Sequence, residues 1–300
     1  MINQLLIICG PTATGKTKLG LKLAKIFNGQ VISADSRQVY QGMDIGTGKD
    51  KPSNGQTILG LDLVKPDQKF SVANFVKFTL PAIKKIQSKN QLPILVGGTG
   101  LYLKAITDPF QTIHIKANLK LREKLADKNV LDLQKILQSL APKKFTSMNH
   151  SDRLNPRRLI RAIEIAKSGK PLSTLKPNFN SLWIGLKTNK DTLDKRVEKR
   201  VHQRIKQGSQ AEVKKLLDQG YSWDLPSMSA MGYQQWRPFF KKPKISRQKV
   251  ITTWITAEKQ YLRRQLTWFN RQKQVHWFDL KNPDMDKKVV NFLSSWYTSN

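Results

Sequence analysis

The residues most able to do chemistry lie in "GPTATGKT", residues 10–17, directly after the apolar run Leu5-Leu6-Ile7-Ile8. Gly10 and Gly15 let the backbone turn its N–H groups onto phosphate oxygens at a helix N-terminus. Lys16 adds a point charge and Thr17 offers a hydroxyl to Mg²⁺. Pro11, Thr12, Ala13 and Thr14 supply the rest of the cradle. Such a nucleotide-binding loop, familiar from ATP sites, holds a diphosphate or triphosphate without naming the reaction. The segment "ISADSRQVYQGMDIGTGK" (32–49) brings Asp35 to the end of the neighbouring strand. A carboxylate there can take a proton from an acceptor nucleophile beside bound phosphates. It can equally cap a helix or hold the water shell of a magnesium ion. Ser36, Arg37 and Gln38 place hydrogen-bonding side chains in the same turn, where ordinary turn chemistry is the other reading.

Further along, Thr99 stands in a Gly-Gly-Thr-Gly turn, where it could cap the following helix. Arg158 and Arg161 lie three apart and Arg196 and Arg200 four apart, so each pair shares a helix face. As charge runs on solvated helices they would mean little. Trp268 and Phe269 could stack on bases or pack, and packing is the expectation for Phe269.

These groups need a frame. Residues 4–9 read as a buried strand and 16–27 as the helix after the loop. Residues 30–36 and 57–64 read as further strands, and Ser71 as the N-cap of a helix reaching Ser88. "LPILVGGTG" (92–100) is a strand running into a glycine turn. Helices are expected over 118–140 and 155–168, the latter opening at Asn155-Pro156 and stopping at Gly169. A strand follows at 181–188, helices at 190–207, 209–219 and 246–271, a strand at 275–280 and a helix at 284–297. Strands alternating with helices imply an α/β fold: a P-loop NTPase-like, doubly wound parallel sheet core with helical insertions. The expected division is a first core part (1–113), a helical insertion (114–178), a core strand (179–188), a helical lid or partner-binding region (189–249), and a helix, strand and helix completing the core (250–300).

The chain has 300 residues, 39% of them hydrophobic, enough for a packed core. Its 53 Lys and Arg against 21 Asp and Glu give a net charge of +32, which points to a polyanionic partner. The alternative is a lysine-biased surface. One cysteine, Cys9, argues against a disulfide framework or a cysteine zinc site. No stretch reaches membrane-span length and no signal-peptide layout precedes the first strand, so a cytoplasmic protein without membrane association is expected.

Taken in order, "GPTATGKT", "ISADSRQVYQGMDIGTGK" and "PILVGGTGLYL" (93–103) closely resemble tRNA dimethylallyltransferases. The resemblance continues through "NPRRLIRAIEIAKSGKPLS" (155–173), "RVEKRVHQRIKQGSQAEV" (196–213), "SAMGYQQW" (229–236) and "YLRRQLTWF" (261–269), nearly the whole chain. It implies transfer of a dimethylallyl group from dimethylallyl diphosphate to N6 of the adenosine immediately 3′ of the anticodon, with diphosphate leaving and Mg²⁺ as cofactor. It implies a monomer that grips the anticodon stem-loop of tRNA. The loop would then cradle a leaving group, and Asp35 matches the general base. Thr99 matches a residue close to the target nucleotide, and Arg196 and Arg200 match arginines that hold diphosphate. Arg122, Arg157, Arg158, Arg161, Gly232, Tyr233, Arg263, Arg264 and Trp268 fall in tRNA-facing segments, as do Asp35, Ser36, Arg37 and Gln38.

The chain departs from that pattern in places. Thr57-Ile58 stand where a Pro-His pair is usual, although Asp62 remains. "TGKD" (47–50) replaces Thr-Ala-Lys-Pro, Arg204 replaces a methionine, and "SAMGYQQ" lacks a flanking basic residue. The rivals are a small-molecule P-loop kinase or nucleotide hydrolase, a prenyltransferase of free adenine nucleotides, and a non-catalytic RNA-binding module. The first shares loop and sheet, since fold does not fix function. The basic charge and "RRLIR" (157–161) favour an RNA acceptor, and Lys16, Thr17 and Asp35 together favour catalysis.

Overall fold

The computed structural model describes residues 3–50, 55–108, 111–170, 179–242 and 244–298. The "PLS" ending the 155–173 block and the border at 178 fall outside them. One sheet holds β1 (Gln4–Cys9), β2 (Gly29–Ser33), β3 (Ile58–Leu59), β4 (Leu92–Val96), β5 (Asn180–Lys187) and β6 (Val275–Asp279). Every pairing between them is parallel, in the order β3-β2-β4-β1-β5-β6. Helices α1 (Lys16–Ile26), α2 (Val72–Gln87) and α3 (Gly100–Thr107) accompany the first four strands. There follow α4 (Leu119–Ala126), α5 (Val130–Leu140), α6 (Pro142–Ser147), α7 (His150–Arg153) and α8 (Pro156–Ser168). After β5 come α9 (Lys190–Lys206), α10 (Ser209–Asp218), α11 (Arg237–Lys241) and α12 (Arg247–Phe269); α13 (Met285–Thr298) follows β6.

The central strand explains the layering. Successive side chains of a strand point to opposite faces, and β1 is apolar at every position from Leu5 to Cys9, so both faces must be covered. Leu6 and Ile8 meet Leu19 and Leu23 of α1 and Val289 and Leu293 of α13. Leu5 and Ile7 meet Phe75 and Ile83 of α2, Leu103 of α3 and Phe269 of α12. A doubly wound sheet results, with all its strands' carboxyl ends on one edge. A separate cluster in the same unit joins Val39, Tyr40 and Met43 to Val201, Val213, Trp236 and Trp254, fixing the segment after Asp35 against α9, α10 and the first half of α12.

Two expected elements change. The strand expected over 57–64 shrinks to Ile58–Leu59 plus a single bridge between Tyr40 and Val64. Gly60 and Asp62 both take positive φ (87° and 54°), which breaks the ladder between them. The helix expected over 118–140 is two. The Asn129 side chain accepts from the Asp132 N–H at 3.0 Å and starts α5 afresh. The caps at Ser71 (a capping box with Asn74) and Asn155, and the left-handed Gly169, stand as expected.

The chain divides into two compact units, 1–108 with 177–300, and 109–176. The second has its own core, in which Leu133, Leu137 and Phe145 pack on Leu159 and Ile163. Beside it Glu164, only 3% exposed, accepts from the Asn118 N–H at 2.6 Å and from Arg122 at 3.0 and 2.9 Å, and is paired with Arg161. Burial pushes this carboxyl up, but the hydrogen bonds from Arg122, Arg161 and Asn118 outweigh it and bring it to about 2. Its folded value lies below its unfolded one. The stabilisation is therefore present above about pH 4.5 and lost as pH falls through about 2, on the order of 3 kcal/mol in all. Glu164→Ala strands two arginines and is expected to destabilise this unit by roughly 3–5 kcal/mol. Thermal unfolding of the variant checks it; a melting curve identical to wild type would contradict the pairing.

Candidate active site

At the carboxyl end of β1 the chain enters the loop 10–15. Gly10 has φ of +125°, and a Cβ there would lie 2.6 Å from the Leu186 carbonyl oxygen, so only glycine fits. Gly15, at φ +81°, turns the chain into α1. The Thr14 hydroxyl donates to the Pro11 carbonyl at 2.9 Å and braces the loop from inside. The Lys16 ammonium folds onto that same carbonyl at 2.6 Å. Burial first, then the charge of Arg200, pulls Lys16 down to about 8. A half-buried cation held against a loop carbonyl is poised to transfer its hydrogen bonds to an anion.

The loop opens into a cleft of about 590 Å³. Lys16, Thr17, Asp35, Gln38, Arg196 and Arg200 all line it, so the structure brings these expected groups together. One Asp35 oxygen accepts from the Arg37 N–H at 2.8 Å, which shapes the turn while the residue still faces the cleft. Among the described residues no helix follows directly for Asp35 to cap, and the bond belongs to the turn itself. Gln38 donates to the Gly48 carbonyl at 3.0 Å and accepts from the Ser33 hydroxyl at 3.0 Å, holding the 47–50 segment at the rim. The Thr99 side chain makes no cap bond to α3. Its hydroxyl oxygen accepts from the Ser36 N–H at 3.3 Å, which ties it to the Asp35 turn, and Tyr261 stands beside it.

The far wall is α9 and α12. Arg196 reaches the Ala13 carbonyl at 3.4 Å, and Arg200 contacts the Thr12 hydroxyl and, at 3.4 Å, Glu258. Arg204 is buried and donates to Glu258 at 2.9 Å; burial and Arg200 lower it to about 10. The residue that departs from the resemblance is therefore neutralised within the wall. Gly48 faces it so closely that a Cβ would overlap the Arg204 guanidinium.

Several residues expected to contact RNA also have partners within the protein. Tyr233 is fully buried, with its hydroxyl donating to Glu212 at 2.5 Å, and buried Gly232 packs against Trp254 and Gly46. Neither is presented to a ligand. Glu212 also accepts the N–H groups of Asp44, Ile45 and Gly46 at 2.9, 2.8 and 3.0 Å, pinning that loop to α10. Arg122 and Arg161 are committed to Glu164, and Arg161 also to the Thr112 and Ile115 carbonyls. Arg37 donates to the Pro226 carbonyl at 2.9 Å. The ring of Trp268 covers Gly100 and meets Phe269 edge-on, and Phe269 is buried as expected. Arg157, Arg158, Arg263 and Arg264 remain exposed, Arg158 beside Asp152.

Sequence reasoning passed over Glu258, Tyr261 and Gln265. The buried stripe of α12 runs Val250, Trp254, Glu258, Leu262, Gln265, Phe269. Two polar residues on an apolar stripe need partners, and that mismatch was the available signal. Thr12 is likewise corrected: its N–H donates to Gln265 at 2.8 Å, leaving the N–H groups of residues 13–17 for phosphate.

Residues 38–272 match the profile of a family described as IPP transferase, and residues 3–69 that of isopentenyl transferase. The chain is 36% identical over 315 residues to a tRNA dimethylallyltransferase of Limosilactobacillus reuteri, covering 98% of this chain and 99% of that one. It is 38% identical over 312 residues to one of Halalkalibacterium halodurans, covering 98% of each. The crystal structure of the full-length tRNA isopentenylpyrophosphate transferase of Bacillus halodurans is similar at TM-score 0.74 and 35% identity, over 98% of this chain and 96% of its own. A eukaryotic dimethylallyltransferase acting on tRNA shares the fold at TM-score 0.85 and 22% identity, over 99% of this chain and 80% of its own.

Proposed function

The chain belongs to the IPP transferase family, and from that premise we infer its reaction: it is an enzyme that transfers a dimethylallyl group to an adenosine of tRNA. The donor in this reading is dimethylallyl diphosphate, and the acceptor is N6 of the adenosine immediately 3′ of the anticodon. One observation carries it: a single cleft lined by the phosphate loop, Lys16 and Asp35. The allylic C1–O bond breaks with its electron pair going to diphosphate, N6 bonds to C1, and the N6 proton passes to the Asp35 carboxylate. Because charge grows on the departing diphosphate, donors aimed at it lower the barrier most. The N–H groups of residues 13–17, Lys16, Arg196 and Arg200 take that task. Thr99, held by the Ser36 N–H, orients the adenine edge beside Asp35. The adenine leaves its stack to enter the cleft.

Among the described residues, no cluster of three His, Cys, Asp or Glu could hold a metal alone. The Thr17 hydroxyl lines the cleft beside the phosphate loop and suits Mg²⁺, which binds through one or two protein oxygens plus substrate phosphates. When bound, the ion supplies further charge stabilisation to the diphosphate. One chain carries every group named, so a monomer suffices. No described helix is long and apolar enough to cross a membrane, in keeping with work on tRNA in the cytoplasm.

Unmodified tRNA incubated with protein, Mg²⁺ and dimethylallyl diphosphate should yield N6-dimethylallyl adenosine on nucleoside mass analysis; its absence overturns the reading. The exposed arginines are the RNA contacts in this account. Arg158→Ala should weaken tRNA binding and reduce its salt slope by about one, with diphosphate binding kept. Unchanged tRNA affinity in filter binding would remove Arg158 from the interface.

A further inference from the structure

Gln265 lies on the buried stripe of α12, 5% exposed, where the carboxyl ends of β1 and β4 part. Its side-chain oxygen accepts from the Thr12 N–H at 2.8 Å, and its side-chain nitrogen donates to the Gly98 carbonyl at 3.0 Å. Only one orientation of the amide satisfies both, since Thr12 offers a donor and Gly98 an acceptor. Gly98 has no Cβ to bar the approach: one there would lie 2.2 Å from the Gln265 nitrogen. One turn earlier on the same helix, Tyr261 stands beside both Thr99 and Gln265.

The two segments so joined serve opposite halves of the reaction. Thr12 belongs to the loop that cradles the leaving group, while Gly98 precedes Thr99, which is tied to the Asp35 turn. Apart from the Gly97 N–H donating to the Ile8 carbonyl at 3.1 Å, the two strands' ends have separated here. We propose that Gln265 is a positioning residue that sets the separation between the diphosphate cradle and the Thr99–Asp35 acceptor side. Although it borders the cleft, it acts through the chain segments on either side of it. It acts by holding the Thr12 amide and the Gly98 carbonyl a fixed distance apart. Since reacting atoms must meet within a few tenths of an ångström, and a shift of about 1 Å can cost about 10²-fold, loss of the strut falls on turnover.

This inference rests on the prenyl-transfer reading and is tested with two variants of the whole chain. Gln265→Met keeps the shape and removes both hydrogen bonds. Gln265→Glu keeps the acceptor, and regains the donor only when its carboxyl is protonated. For Gln265→Met the expectation is a fall in kcat of roughly 10–100-fold, with KM for tRNA and the calorimetric affinity for inorganic diphosphate each within about threefold of wild type. Gln265→Glu should recover turnover relative to wild type as pH is lowered, because the protonated acid restores the strut. A folded Gln265→Met enzyme with wild-type kcat would overturn the assignment. So would a loss of diphosphate affinity in proportion to kcat, which would make Gln265 a brace of the loop alone. If Gln265→Met does not fold, a pH profile of Gln265→Glu parallel to wild type overturns it equally. Failure of wild type itself to prenylate tRNA would sink the reaction and this assignment together, and the wild-type control separates that case from the others.

Discussion

Asp35→Ala is expected to lower turnover by roughly 10²–10⁴-fold, the range for loss of a positioned general base, while tRNA and diphosphate affinities stay close to wild type. The exocyclic N6 of adenine is a poor nucleophile until its proton has somewhere to go. Asp35 faces the cleft that also holds Lys16, and its turn is anchored without consuming both carboxylate oxygens. Alanine removes the acceptor and also the bond to the Arg37 N–H. Asp35→Asn, which keeps an oxygen for that N–H, separates the two roles and should be nearly as inactive. Single-turnover rates with saturating tRNA, beside filter-binding affinities, measure the split. Equal losses in rate and affinity would make Asp35 a folding or binding residue.

Lys16→Ala is expected to cost roughly 10²–10³-fold in kcat, as loss of a preorganised charge on a growing anion does, and to weaken diphosphate binding as well. Lys16→Arg should rescue little, because a planar fork does not replace a compact ammonium folded under the loop. The depressed pKa adds a signature. Lys16 falls from 10.5 to about 8, so its folded value lies below its unfolded one, and its contribution to stability rises with pH between those values. Binding has the opposite sense, since a diphosphate needs the cation. Affinity for inorganic diphosphate should therefore fall above about pH 8, approaching about tenfold per pH unit, and calorimetry across that range reads it. Lys16→Ala should abolish that slope. A slope surviving the substitution would assign it to another group.

The sheet was legible because its signals are local. β1 is apolar at successive positions, Gly10 and Gly15 bracket the loop, and Ser71, Asn155 and Gly169 mark helix ends by their own chemistry. The errors arose where a neighbour decides. Nothing within 57–64 announces that Gly60 and Asp62 will both turn left-handed, and Asn129 was read through as helix although it caps one. In the site, Lys16 and Asp35 could be drawn together by residue type and place in the chain, whereas Arg196 and Arg200 joined them only through the family resemblance. Tyr233 could not be told from an RNA contact, because its partner Glu212 lies far away in sequence. Arg122 looked free for the same reason, since Glu164 lies far along the chain, whereas Arg161 is three residues from Glu164, a pair that helical spacing allows. Gln265 was passed over since its two partners, Thr12 and Gly98, lie far back in the chain.

The most direct measurement is a single-turnover reaction in which both products are counted. Wild-type protein with Mg²⁺ and labelled dimethylallyl diphosphate is mixed with unmodified tRNA, and released diphosphate and prenylated adenosine are followed together. The account predicts that the two appear in equal amounts and at one rate, with neither formed when tRNA is withheld and both slowed together by roughly 10²–10⁴-fold when Asp35→Ala replaces wild type. Diphosphate released without tRNA, or the prenyl group found on free adenine nucleotides instead of tRNA, would contradict it.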